Sequence, residues 1–195
     1  MLNEWLLALA QIFAAQEWSI ALHESIYAYA WVETVHVLTL TLFLGMLVII
    51  DLRMLGWAFG GFPATVLARR LNQPMLIGFV VMVITGLILY YAIPIRTTQS
   101  IWFRIKVVLL VVAGINAWLF HRALRNSAGT WSDRGLPPLR LRAGAGFSLV
   151  LWSGVVFAGR AIAYDWFDCH KPLSGMMYWA AGCVQELAAL EAAGH

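Results

Sequence analysis

Four long apolar stretches dominate the sequence, and each is close to the ~20 residues that an α-helix needs to cross a bilayer. They run from Tyr27 to Leu52, Pro74 to Ile93, Ile101 to His121 and Ala143 to Tyr164. The breaks between them have turn chemistry: Gly60-Gly61-Phe62-Pro63, Pro94 and Gly135-Leu136-Pro137-Pro138. This pattern predicts an all-α, integral membrane four-helix bundle in residues 27–165, with Pro74 in the first turn of the second helix.

Two further segments flank the bundle and are too short or too polar to span. Residues 2–15 place six apolar side chains on one helical face: Leu2, Trp5, Leu6, Leu9, Ile12 and Phe13. Residues 174–190 do the same with Met176, Trp179, Cys183, Leu187 and Leu190. Both patterns predict amphipathic helices in the membrane interface. Residues 1–26 would form an N-terminal interfacial region, and residues 166–195 an outer-face tail.

The composition agrees with a lipid environment. Only 12% of the 195 residues are charged and 62% are hydrophobic, whereas a soluble domain carries about 25% charged residues. The mean hydropathy is +0.76. The net charge of +3 comes from short basic loops beside apolar stretches, which argues against nucleic acid as a partner. These numbers exclude a soluble enzyme domain, and the sequence leaves open whether the chain is an enzyme at all.

Basic residues favour one side of the predicted bundle. The connections after the first and third stretches hold eight arginines: Arg53, Arg69, Arg70, Arg122, Arg125, Arg134, Arg140 and Arg142. Only Asp51 and Asp133 oppose them there. The other side has five basic residues: Arg96, Arg104, Lys106, Arg160 and Lys171. The positive-inside rule puts the eight-arginine face in the cytoplasm. Both termini are then predicted on the periplasmic side of a bacterial inner membrane.

Ionisable residues inside predicted spans are costly, so each invites a functional hypothesis. Glu33 and His36 lie three residues apart and share a helical face. At ~1.5 Å per residue, His36 lies about 12 Å below the outer helix end. By the same count Lys106 and Arg160 lie about 5–8 Å below that surface. We therefore expect Glu33, His36, Arg104, Lys106 and Arg160 to converge in the outer halves of the helices.

Haem would account for such a group of residues. Imidazole is a usual axial ligand of haem iron, and His36 would supply it. The haem propionates need cations, which Arg104, Lys106 or Arg160 could provide. Alternatively, Glu33 pairs with Arg104 or Arg160 while His36 hydrogen-bonds to a neighbour. The Glu33-x-x-His36 spacing is also half of a di-metal carboxylate motif, although such bundles need two copies and two further glutamates.

The remaining histidines and the cysteines leave alternatives open. His121 is predicted at the inner end of the third span, roughly 24 Å from His36 at helical rise, so the two should not hold one haem. It would serve a separate inner metal site or be an interfacial histidine. His23 could fold over the outer site or be a solvated loop histidine. Cys169 and Cys183 lie on the outer side, where they could pair or stay free.

Three parts of the sequence carry a resemblance to known proteins: Glu24-Ser25 through Trp31-Val32-Glu33-Thr34-Val35-His36-Val37-Leu38 to Gly45 and Asp51–Gly56, then Phe103-Arg104-Ile105-Lys106 through Gly114–Ala117 to His121, and Trp152 through Gly159-Arg160 to Tyr164. These parts resemble a bacterial family of small four-helix membrane proteins with no assigned function. The layout is more distantly similar to the copper-resistance D family and to membrane-bound protoporphyrinogen oxidase. That oxidase is a haem protein, and the resemblance implies functional roles for His36 and Lys106.

The leading hypothesis is a b-type cytochrome-like membrane protein. His36 would bind haem b near the outer leaflet, with Lys106, His23 or another group as second ligand or with that position open. Arg104 and Arg160 would hold the propionates, and Glu33 would orient His36. Such a site could pass electrons between a periplasmic redox protein and quinone. The rival hypothesis is a non-enzymatic accessory subunit of a larger membrane complex.

Overall fold

The computed structural model describes residues 2–126, 135–164, 169, 173 and 175–183. It contains these helices: α1 (Leu2–Ala14), α2 (Glu17–Glu24), α3 (Ile26–Leu55), α4 (Ala64–Ala92), α5 (Pro94–Thr98), α6 (Ile101–Asn126), α7 (Leu139–Ala163) and α8 (Gly175–Ala181). The described residues form no β-strand. The all-α prediction is therefore confirmed.

Four helices of the described chain are long and apolar enough to cross a membrane, namely α3, α4, α6 and α7. They contain 30, 29, 26 and 25 residues, so each exceeds the ~20 that spanning requires. These helices confirm the predicted four-helix membrane bundle and indicate a multi-pass membrane protein. The pair α1–α2 is bent by 76° and would add a fifth span if both helices entered the bilayer together.

The long helices extend beyond the apolar stretches that predicted them. The prediction for Pro74 was wrong, because α4 begins at Ala64 and holds Pro74 in its interior. The ten added residues, ATVLARRLNQ, contain several good helix formers. Their two arginines can reach polar headgroups on long side chains, so the helix continues although its hydropathy falls. Similarly, α3 continues to Leu55. Gly56 follows with a φ of 79°, the left-handed conformation that commonly caps the end of a helix.

The described residues fall into two compact units. The first unit lies within Met1–Glu33, Gly86–Val108 and Val156–His195, and the second within Thr34–Thr85 and Leu109–Val155. All four long helices contribute residues to both units. The boundaries predicted at residues 26 and 165 stay predictions.

The second unit has an aromatic core. The ring of Phe43 packs edge-on against Trp152, with centroids 4.8 Å apart, and lies 5.5 Å from Phe79. Small residues allow the helices to approach closely: a side chain at Gly78 would contact Phe43, and one at Gly154 would come within 3.1 Å of Leu109. Close approach at glycine is the usual mode of helix packing in lipid, where the hydrophobic effect does not drive association.

In the first unit, the amino-terminal helix α1 packs against α5. Leu7 and Ala10 form its buried side. The apolar face predicted from the sequence points elsewhere, since Trp5 is 71% exposed and Ile12 is 59% exposed. An exposed apolar face beside a span is what an interfacial helix presents to lipid.

The described carboxy-terminal segment is helical only from Gly175 to Ala181. The prediction that Cys183 lies in the helix was wrong, because Gly182 adopts a φ of 82° and ends α8. The Cys183 amide then donates to Tyr178 O at 3.1 Å, as in a Schellman cap. Cys183 is bonded to Cys169, with Cα atoms 5.4 Å apart, so of the two alternatives that the sequence left open the structure shows the disulfide. Several residues used in the predictions lie outside the described residues: Leu187, Leu190, Asp133, Arg134 and Lys171.

Candidate functional site

The His36 imidazole joins α3 to α4 within the second unit. Its Nδ1 lies 3.0 Å from the Thr85 hydroxyl oxygen. The Thr85 Oγ1 atom is also within donating distance of its own helix, 2.8 Å from Val81 O and 3.1 Å from Met82 O. When the Thr85 hydroxyl donates to this backbone, it accepts from His36, and the imidazole then has its proton on Nδ1 and a lone pair on Nε2.

The guanidinium of Arg104 joins both ends of the described chain within the first unit. Its Nη1 donates to Asn3 Oδ1 at 2.8 Å and to Ala180 O at 3.0 Å, and its Nε donates to Thr98 O at 3.3 Å. It also packs against the backbone of Gly182. Arg104 thus has a structural role in holding α1 and α8, for which it uses its Nη1 and Nε donors.

The other predicted site residues of the first unit differ in their surroundings. Lys106 is partly buried, and its Nζ lies 3.6 Å from where a side chain at Gly159 would begin. Arg160 is exposed and donates to the Tyr164 hydroxyl at 2.9 Å, with its guanidinium 5.1 Å from the centre of that ring. Glu33 is exposed and lies within electrostatic range of Tyr29.

The predicted convergence is thus divided between the two units. Glu33, Arg104, Lys106 and Arg160 lie in the first unit, whereas His36 lies in the second. The described residues show no ion pair between Glu33 and either arginine, because both arginines donate to neutral oxygens. A meeting of His36 with Lys106 or Arg160 stays a prediction from helix depth.

His23 and His121 are both exposed. His121 lies on α6 and its Nδ1 is 2.9 Å from Ala117 O, the carbonyl one turn earlier in the same helix. His23 lies in the last turn of α2, where the sequence had indicated a linker. In the part of the chain that the structure describes, no three histidine, cysteine or acidic residues are grouped as a metal site.

Residues 20–165 match the model of a family described as a family of unknown function, DUF6644. The chain belongs to this family. No curated protein and no solved structure matches the chain. The family match bears out the resemblance to a family without assigned function, and the comparisons show no similarity to the copper-resistance D family or to protoporphyrinogen oxidase.

The DUF6644 region contains a buried polar group that the sequence reasoning missed. Asp51 and Arg53 were assigned to a cytoplasmic loop, but both lie in α3 and are only 5% and 2% exposed. Asp51 is hydrogen-bonded to the buried hydroxyl of Ser148, and its Oδ2 has no partner. Arg53 donates from Nε to Phe62 O at 2.7 Å.

A sequence signal for this buried group existed. The residues after Asp51 remain apolar at Leu52, Met54 and Leu55, and Gly56 follows as a natural helix end. Asp51 is therefore a second acidic residue within α3, in addition to Glu33, and it is buried.

Proposed function

We propose that this chain is a b-type cytochrome-like membrane protein in which the Nε2 atom of His36 is an axial ligand of haem. The hydrogen bond between His36 and Thr85 carries this proposal. Histidines that bind metal usually donate their other ring N–H to an acceptor, which fixes the tautomer and the ring orientation. The Thr85 hydroxyl supports that arrangement because its own proton has an acceptor in the α4 backbone, Val81 O, which leaves the hydroxyl oxygen to accept from His36.

The residues present fit haem in part. His36 provides the imidazole, and bound haem would supply one-electron chemistry. For Arg104 the propionate role is less favoured than a structural one, because Asn3 and Ala180 accept from its Nη1 atom. Lys106 and Arg160 remain proposed partners for the propionates on the depth argument alone. Electron exchange with quinone or a periplasmic redox protein is the further proposal that such a site would serve.

Replacing Thr85 with valine tests the observation that carries the proposal. Valine keeps the branched shape and removes the acceptor for the His36 Nδ1 proton. Loss of such a supporting partner typically weakens metal binding by about 10–100-fold. We expect this loss of affinity when the apoprotein in detergent is titrated with haem and followed in the Soret region.

The control for this titration is Thr41→Val. Thr41 lies on α3, the helix that holds His36. It is exposed and donates to Val37 O within its own helix. Its replacement should leave haem affinity unchanged. If Thr85→Val instead binds haem as the wild type does and only lowers stability by about 0.6–2 kcal/mol, the hydrogen bond is merely an interhelical contact.

Orientation in the bacterial inner membrane is part of the same proposal. Arginines at the ends of the spans support a cytoplasmic position for the α3–α4 and α6–α7 connections. A dual reporter fused after Arg125 should therefore give the cytoplasmic signal, and one fused after Ile93 the periplasmic signal. The reverse pair of signals would place both termini in the cytoplasm.

A second candidate function is that of an accessory subunit in a larger membrane complex. The observation that favours it is the terminal assembly held by Arg104 and by the Cys169–Cys183 disulfide. This assembly presents large exposed aromatic side chains, including Trp5, Trp18 and Trp179. Blue-native electrophoresis of mildly solubilised membranes should then show a defined larger complex that is lost in a Trp5→Ser/Trp179→Ser variant.

A further inference from the structure

An open groove lies between α6 and α7 in the second unit, beside the end of α6 and the start of α7. Its volume is about 530 Å³, which falls within the ~300–1,000 Å³ typical of small-ligand sites. Polar side chains at the groove are Arg122, Asn126 and Arg140, and apolar ones are Leu119, Phe120 and Phe147. The groove is thus amphipathic.

The two arginines give the groove a positive charge. Arg122 and Arg140 are both exposed, and neither forms an ion pair with a carboxylate among the described residues. Arg122 is fixed against the face of Trp118, with its guanidinium carbon 5.6 Å from the ring centre. Two guanidinium groups without acidic partners are well suited to bind the oxygens of a phosphate group.

The polar and apolar parts are arranged along the helix axes. Arg122 and Asn126 belong to the last residues of α6, and Arg140 is the second residue of α7. Phe120 and Phe147 lie deeper in their spans, six residues before the end of α6 and eight residues after the start of α7. A molecule that fills this groove would therefore have a polar head at the membrane surface and an apolar part beside the helices.

The floor of the groove is held in place by direct contacts between the two helices. Asn116 Nδ2 donates to Gly144 O at 3.1 Å. A side chain at Gly144 would come within 3.4 Å of the Phe120 ring, so the helices are close at this point. The groove is consequently formed before any ligand arrives.

We propose that this groove binds an anionic glycerophospholipid of the surrounding leaflet. Arg122 and Arg140 would bind its phosphate, Asn126 would donate to its glycerol or ester oxygens, and its acyl chain would lie against Leu119, Phe120 and Phe147. Basic grooves at the cytoplasmic ends of spans are recurrent sites for anionic headgroups. This site is separate from His36 and does not depend on haem binding.

Native mass spectrometry of the full chain tests the proposal directly. The purified protein is exchanged into detergent with equal amounts of phosphatidylglycerol and phosphatidylcholine of identical acyl chains. The wild type should retain one phosphatidylglycerol with about 25-fold preference, since two juxtamembrane arginines contribute about fivefold each. The Arg122→Gln/Arg140→Gln variant should lose this preference.

A matched control removes the same charge elsewhere. Arg69 and Arg70 are exposed residues of α4, and the Arg69→Gln/Arg70→Gln variant should keep the preference for the anionic lipid. If both double variants lose it equally, the effect is diffuse electrostatics and the site is refuted. Thermal unfolding of all variants should be unchanged, because each arginine replaced is exposed.

Two competing ligands distinguish a lipid-binding site from a site for soluble phosphate esters. Glycerol phosphate and short-chain dihexanoyl phosphatidylglycerol are added as competitors against the long-chain lipid. The proposal predicts that neither displaces the long-chain lipid at equal concentration, because both lack the acyl contact. Full displacement by glycerol phosphate would overturn the assignment and identify the groove as a site for soluble phosphate esters.

Discussion

The His36→Ala variant is expected to lose haem completely under conditions in which the wild type binds one haem per chain. Haem iron needs a protein ligand, and the proposal assigns that role to the His36 Nε2 atom. The fold should survive, because the replaced imidazole makes an interhelical hydrogen bond worth about 0.6 kcal/mol on average in membranes. Thr85 would still donate to Val81. Pyridine haemochrome analysis and thermal unfolding of the same samples measure both outcomes.

The matched control is His121→Ala. His121 is exposed and is bonded to a carbonyl of its own helix, so its removal should leave haem content and spectrum unchanged. If the His121→Ala variant lost haem while the His36→Ala variant still bound it, the haem site would lie at the other end of the predicted spans. Equal loss in both variants would indicate non-specific haem uptake.

The Gly182→Ala variant is expected to lower the free energy of unfolding by about 2–5 kcal/mol. Alanine at a φ of 82° costs about 1–2 kcal/mol from the left-handed backbone alone. Its methyl group would also collide with the Arg104 guanidinium, and overpacking adds about 1–3 kcal/mol. The measurement is denaturant unfolding in mixed micelles under oxidising conditions, so that the Cys169–Cys183 bond stays intact.

A double-mutant cycle separates these two contributions. Arg104→Met alone should cost about 3 kcal/mol, because it removes charge-assisted hydrogen bonds to Asn3 and Ala180. In that background Gly182→Ala should cost only its backbone strain, about 1–2 kcal/mol. Fully additive effects would mean that the two residues do not interact. Arg160→Met is the control, because Arg160 is exposed and should change stability by less than about 1 kcal/mol.

The fold class was predictable because lipid imposes a simple rule on sequence. A span must be long, apolar and helical, and four stretches meet that requirement. The helix ends were less predictable, since hydropathy reports lipid contact and not hydrogen bonding. Ala64–Gln73 is helical but polar, and Asp51 is buried although charged. Helix α4 thus begins ten residues before the apolar stretch that revealed it, and Asp51 is buried near the end of its own stretch.

The candidate site was predictable only in part. Residue types and helix depths could be counted along the chain, and they selected Glu33, His36, Arg104, Lys106 and Arg160. The partners could not be predicted, because helix rotation is set by packing and not by composition. No sequence feature near Arg104 identifies Asn3 or Ala180 as its hydrogen-bond partners, because both lie more than 70 residues away from it. Similarly, Thr85 has no sequence feature that marks it as the acceptor for His36.

The absorption spectrum of the purified full-length protein tests the central claim most directly. The protein is expressed with ample haem, extracted in mild detergent, and recorded as isolated and after reduction with dithionite. The proposed ligation by His36 predicts a Soret band that shifts on reduction, with about one haem per chain. A folded, monodisperse sample without a Soret band would contradict the proposal.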